Sequence, residues 1–217
     1  MMIIRVEQQT AKDISYKIRS KQIEGTAFAP FEFAQANLTI LLNGLNPIYI
    51  YHKDMDLLKD ILMGRIKTDC FAEEICDGDK NKIGEIRNYL GKPAELELFG
   101  HSLQMYRVSM GKKGQYVCCY DGGQLIGMIE KDIKVKNDLD TYTIFVEDDK
   151  YANALCVMCL NYDISNYRKT QTSIFTFTKS NRYDAVTSNP DILNKYDPSF
   201  IPRVKAMEGI VKKKKSS

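Results

Sequence analysis

Short runs in which apolar residues alternate with polar ones dominate the middle of the chain. Alternation of that kind puts one set of side chains in a core and the other in solvent, which is the pattern of half-buried β-strands. It is clearest in AFAPFEF (27–33), ANLTILL (36–42), PIYIYH (47–52), ELELF (95–99), LQMYRVSM (103–110) and TYTIFV (141–146). One stretch follows helical spacing instead: in KDMDLLKDILMGRI, Leu57, Leu58, Ile61 and Leu62 recur along one face and Gly64 offers a stop. Two further segments, FAEEICDGDKNKIGEIRN (71–88) and YVCCYDGGQLIGMIEKD (116–132), repeat one unit of strand, Asp-Gly, and a second strand opening with Ile-Gly-x-Ile. Asp-Gly predicts a hairpin, because glycine takes the positive φ of a tight turn without steric cost. DGGQLIG is not read as a phosphate loop, since no Lys-Ser/Thr follows it and it leads into a strand.

Against these strands, residues 147–164 stand apart. Glu147, Asp148 and Asp149 place negative charge where the positive end of a helix begins, and Asp148 or Asp149 can cap the free amides. Beyond them, Ala154, Leu155, Cys156, Val157, Met158, Cys159 and Leu160 cover every angle of the predicted helix. A helix that is apolar all round is buried all round. Its apolar run is shorter than the ~20 residues of a membrane span, so its surroundings must be protein. A sheet wrapped around this one helix is the economical arrangement, and closing the sheet would remove its exposed edges.

Residues 115–163, QYVCCYDGGQLIGMIEKDIKVKNDLDTYTIFVEDDKYANALCVMCLNYD, resemble the closing half of LURP-one-related proteins, which share the tubby C-terminal-like fold with phospholipid scramblases. The likeness lies in the order of parts: a Gly-turn hairpin, then DTYTIFVEDDKYA, then an apolar helix ending in Asp. It implies a mainly β fold with one buried helix: a closed antiparallel β-barrel of about twelve strands around a central hydrophobic α-helix. The expected division is an N-terminal extension over 1–26, a barrel over 27–179 with its helix near 149–164, and a C-terminal extension over 180–217. Tubby domains bind phosphoinositide headgroups through basic residues outside the barrel. No tubby lipid motif matches this chain residue by residue, so none is carried over.

Composition narrows the function classes. The opening MMIIRVEQQTAKD lacks the parts of a signal peptide and no apolar run has membrane-spanning length, so a cytoplasmic protein without a transmembrane span is expected. Five of the six cysteines lie in apolar or strand-like runs, and Cys156 and Cys159, although spaced Cys-x-x-Cys, read as a packed pair. Neither a metal site nor a cofactor is expected, because His52 and His101 offer no recognised ligand spacing. No nucleophile elbow, His–acid pair or carboxylate pair has specific spacing either; Asp138 and Asp140 suit a turn before TYTIFV. A non-enzymatic protein is the expectation.

Charge then singles out the end of the chain. Arg203, Lys205, Lys212, Lys213, Lys214 and Lys215 stand against Glu208 alone, a net of +5 in a chain that totals +3, so −2 elsewhere. Beside Val204, Met207, Ile210 and Val211, these six basic residues are the candidate contacts to an anionic membrane surface, with peripheral phospholipid binding the first functional reading. Nucleic-acid phosphates, which would draw the same patch, rank behind it. The bland reading is a solvated, frayed terminus. The alternatives are a protein-interaction or scaffold domain and an undetected enzyme, which would need an open polar pocket lined by His52 or His101.

Overall fold

The computed structural model describes residues 1–10, 14–29, 38–52, 70–89, 92–134, 137, 139–171 and 184–215. Twelve antiparallel strands form one closed barrel: β1 (Met2–Thr10), β2 (Ile14–Arg19), β3 (Glu24–Ala29), β4 (Leu38–Leu42), β5 (Ile48–His52), β6 (Cys70–Cys76), β7 (Lys82–Tyr89), β8 (Ala94–Leu98), β9 (His101–Ser109), β10 (Gln115–Asp121), β11 (Gln124–Lys131) and β12 (Thr141–Val146). Each strand pairs with its sequence neighbours, and β1 closes the ring against β12. Closure leaves no edge strand, and the sheet wraps a single helix, α1 (Ala152–Gln171).

Residues 1–26, expected as an extension ahead of the barrel, instead supply β1, β2 and the start of β3. Met2, Ile4, Val6 and Gln8 point inward while Arg5 and Glu7 point out, so β1 carries the same period of two as the other strands. Its partner β12 lies more than a hundred residues away, and only that pairing makes β1 part of the barrel. Helix α1 also runs beyond 164, to Gln171. The predicted helix at 53–66 and the strand-like 172–179 lie outside the described residues.

Both repeated hairpins form, but in the first the positive φ falls on Lys80, at 64°, and not on Gly78. Gly122 and Gly123, with φ of 54° and 86°, make a two-residue turn between Asp121 and Gln124. In the other hairpin, Asp77 Oδ1 accepts from the amides of Asp79 and Asn81, both at 2.9 Å. The glycine of each Ile-Gly-x-Ile is required by close approach. A Cβ on Gly127 would lie 2.4 Å from Leu155 Cδ1 of α1, and one on Gly84 would lie 2.3 Å from the Glu97 carbonyl oxygen.

The chain enters α1 through a 3₁₀ turn at Asp149–Tyr151, where the Asp148 carboxylate accepts from the Lys150 amide at 3.1 Å. From Ala154 to Leu160 every residue of α1 is fully enclosed by inward side chains of the barrel. A second, smaller core lies outside the wall. There α2 (Pro190–Leu193) and α3 (Phe200–Lys215) pack on the outer faces of β9–β12, with Phe200 and Val204 buried against Val108, Cys118, Met128 and Phe145. The expected C-terminal extension is thus, over its described part, built onto the barrel.

Candidate functional site

Two places carry chemistry: the basic helix on the outer wall and the interior of one barrel end. On the wall, the structure divides the six predicted contacts. Arg203 binds Glu147 through Nε and Nη2, at 2.8 and 2.7 Å, and reaches Asp197 Oδ2 at 3.5 Å. Lys205 holds its ammonium 5.1 Å from the centre of the Phe145 ring. These two residues therefore fasten α3 to β12 and to the residue after it. Lys212, Lys213, Lys214 and Lys215 belong to the last turn of α3, and Lys21–Glu208, at 3.1 Å, fixes the helix one turn earlier. Cations at a helix C-terminus also offset its negative dipole end.

The short turns, including 77–81 and 122–123, gather at the end of the barrel where α1 begins. At the opposite end, where β1 leads to β2 and β11 to β12, inward positions turn polar around the second half of α1. Asp163 sits fully buried between Tyr16 of β2 and Tyr142 of β12, both of which donate their hydroxyls to its carboxylate. Burial and the neighbouring Asp140 push the Asp163 carboxyl up to about 6, against the lowering effect of the two tyrosine hydrogen bonds and of Lys131. Burial and Asp163 in turn raise both tyrosines.

Beside this triad, Lys131 and Asp140 form an ion pair with side chains 1% and 0% exposed. The Asp140 amide donates to Gln8 Oε1 at 2.9 Å, and the Lys131 ammonium lies 4.5 Å from the Tyr167 ring centre and 5.3 Å from that of Tyr142. Asn161 donates to Glu73 Oε2 at 2.6 Å, tying α1 to β6. Gln115, opposite Lys131 on β10, is 2% exposed, and neither its amide nitrogen nor its oxygen has a hydrogen-bond partner among the described residues. Asp140 had read as a turn residue; it is the buried counter-ion of a lysine nine positions earlier on the facing strand.

Between α1 and strands β7–β10 this end opens as a cleft of about 280 Å3, counting space open to solvent, with room for about one water below its mouth. Arg107, Asn88, Ser165 and Asn166 ring it over a floor of Ala94, Met105 and Val117. Arg107 donates to Asn166 Oδ1 and lies 5.9 Å from the Tyr162 ring centre. His101 is elsewhere, at the short-turn end, its ring 4.6 Å from that of Tyr151. Cys156 and Cys159 are enclosed in the core, and burial pushes the Cys156 thiol up to about 12, which suppresses the reactive thiolate. Among the described residues no group of three His, Cys, Asp or Glu is placed to hold a metal ion, and no helix is long and apolar enough to cross a membrane.

No family model, curated protein or solved structure matches the chain.

Proposed function

We propose that the protein is a non-enzymatic barrel of the tubby-like kind that binds anionic phospholipid surfaces peripherally through the end of α3. The observation that carries this reading is that the basic terminus is helix, not a frayed tail. Phe200 and Val204 anchor α3 in the outer core, Arg203 and Glu208 pin it by ion pairs, and the helix continues unbroken to Lys215. A rigid barrel then carries four lysines on one short helical turn, and the contact set contracts from six residues to those four. Basic residues near an anionic surface contribute about 1 kcal/mol each, so four give about 4 kcal/mol, which alone corresponds to roughly millimolar binding.

The test is vesicle co-sedimentation of the full chain against a variant with Lys212, Lys213, Lys214 and Lys215 replaced by Gln. Substitution is preferable to truncation after Pro202, which would also remove the buried Val204 and the Arg203–Glu147 pair. The expected result is binding to anionic but not neutral vesicles, weakening with salt and lost in the variant. Equal, negligible sedimentation of both proteins in low salt would sink the reading.

A further inference from the structure

Four lysines hold a protein only weakly, and stable attachment to a bilayer takes a second signal, usually apolar. The outer wall shows where one lies. Across β2, β3, β4 and β5 the register aligns Ser15, Phe28, Thr39 and Tyr49 in one outward row, and none of the four is charged. The next row toward the short turns aligns Lys17, Thr26 and Leu41. Phe28 and Leu41 are 46% and 41% exposed and sit diagonally on neighbouring strands, close enough for their side chains to form one patch, with Tyr49 beside it. Among the described residues, the rest of the outer wall is covered or charged. Helices α2 and α3 cover β9–β12, and β6–β8 present the aligned row Glu74, Glu85 and Glu97, laced to Lys82 and Arg87. The short-turn end mixes signs: Asp77, Asp79, Asp121, Asp148 and Asp149 stand among Lys21, Lys80 and Lys150, with Asp149 paired to the N-terminal ammonium and Asp148 to Lys150.

Helix α3 leads toward this patch. It meets β12 at Glu147 and Phe145, packs beside Ile3 of β1, and reaches Lys21 in the β2–β3 turn through Glu208. The four lysines follow Glu208 by four to seven residues, about 6–10 Å at helical rise. Strands lie about 4.8 Å apart, so that distance spans the step from β2 to β4. We infer that the β2–β5 wall is the membrane-facing side of the barrel, with Phe28 and Leu41 entering the headgroup–acyl boundary of an anionic bilayer while Lys17 and the end of α3 neutralise its headgroups. This rests on the anionic-lipid reading and adds to it an orientation and a second determinant.

The chain contains no tryptophan, so single Trp reporters can test the orientation. Phe28→Trp and Leu41→Trp would be compared with Val186→Trp, an exposed control beside Ser109 of β9, six strands away from β3 on the opposite side of the ring. The vesicles would be anionic, with brominated acyl chains. Expected are a blue shift and strong quenching at positions 28 and 41 but not at 186, and about a tenfold loss of partitioning in the Phe28→Ser/Leu41→Ser double variant. Sedimentation with vesicles but identical behaviour of all three reporters would overturn the orientation while leaving the lipid reading standing. Absence of sedimentation by the full chain would overturn both. A wild-type dimer in solution that the Phe28→Ser/Leu41→Ser variant abolishes, with no quenching at 28, would reassign the wall to self-association and overturn the inference.

Discussion

The two ends of the barrel interior are built on different principles. Around the first half of α1, Leu155, Cys156, Val157 and Met158 are fully enclosed in the hydrophobic core, and Gly127 is pared to a hydrogen so that Leu155 can fit. Around the second half, polar contacts hold the helix as far as Tyr167: Asn161 meets Glu73, Asp163 meets Tyr16 and Tyr142, and Tyr167 meets Asp184. The apolar end stabilises by close packing, which tolerates rotation and sliding of similar shapes. The polar end has directional partners, and directional contacts select one rotation and one depth for the helix inside the barrel.

The contrast can be broken by substitution. The largest effect is expected from Lys131→Met, which removes the buried ammonium that pairs with the buried Asp140 carboxylate and should cost about 3–5 kcal/mol. Adding Asp140→Asn should recover much of that loss, and urea unfolding of the two variants reads the difference; a single-variant loss below about 1 kcal/mol would mean the pair is not sealed from water. Leu155→Ala at the apolar end should cost about 2–5 kcal/mol through the cavity it opens. Gly127→Ala alone should cost about 1–3 kcal/mol, and less in the Leu155→Ala background, because the clashing atom is then gone.

Asp163 sharpens the comparison through pH. Its folded carboxyl titrates near 6 against an ordinary value of 3.8, so between these values the folded state holds the proton that the unfolded state has released. Its stabilising contribution is complete below about 4 and is lost as pH rises to about 6. Lowered carboxyls such as Asp197, held down by the Ser199 hydrogen bonds and by Arg203, act in the opposite sense at acid pH. The quantity to measure is therefore the stability difference between wild type and Asp163→Asn across pH 4 to 7, which should change with pH in that window and be flat above it. The smallest effect is expected from Gln115→Leu. Removing two buried polar groups that have no partner among the described residues should be neutral or stabilising by up to about 1 kcal/mol in thermal unfolding, whereas a clear loss would show that the amide is satisfied in the folded protein.

Much of the barrel was legible along the chain. TYTIFV coincides with β12, the Asp148 cap lies at the start of the helix, and both Asp-Gly hairpins form, because each rests on contacts between residues close in sequence. The role of β1 was not legible despite its alternation, since nothing local distinguishes a strand that closes a barrel from an extension that lies beside it. The basic terminus was legible as charge but not as structure: Arg203 looks like its neighbours until Glu147, 56 residues earlier, arrives to pair with it.

What the sequence by itself determined is therefore the class of each element and the burial of the helix, because periodicity and the absence of a polar face are local properties. Tertiary structure alone decided which polar residues are buried together. Tyr16 and Asp163 are 147 positions apart, Gln8 and Asp140 are 132, and even Lys131 and Asp140 meet only across the β11–β12 connection. The same holds for the outer wall, where Phe28, Leu41 and Tyr49 become a single patch through strand register. A side chain's type is written in the sequence, but its dielectric surroundings and its neighbours are set by the closure of the barrel.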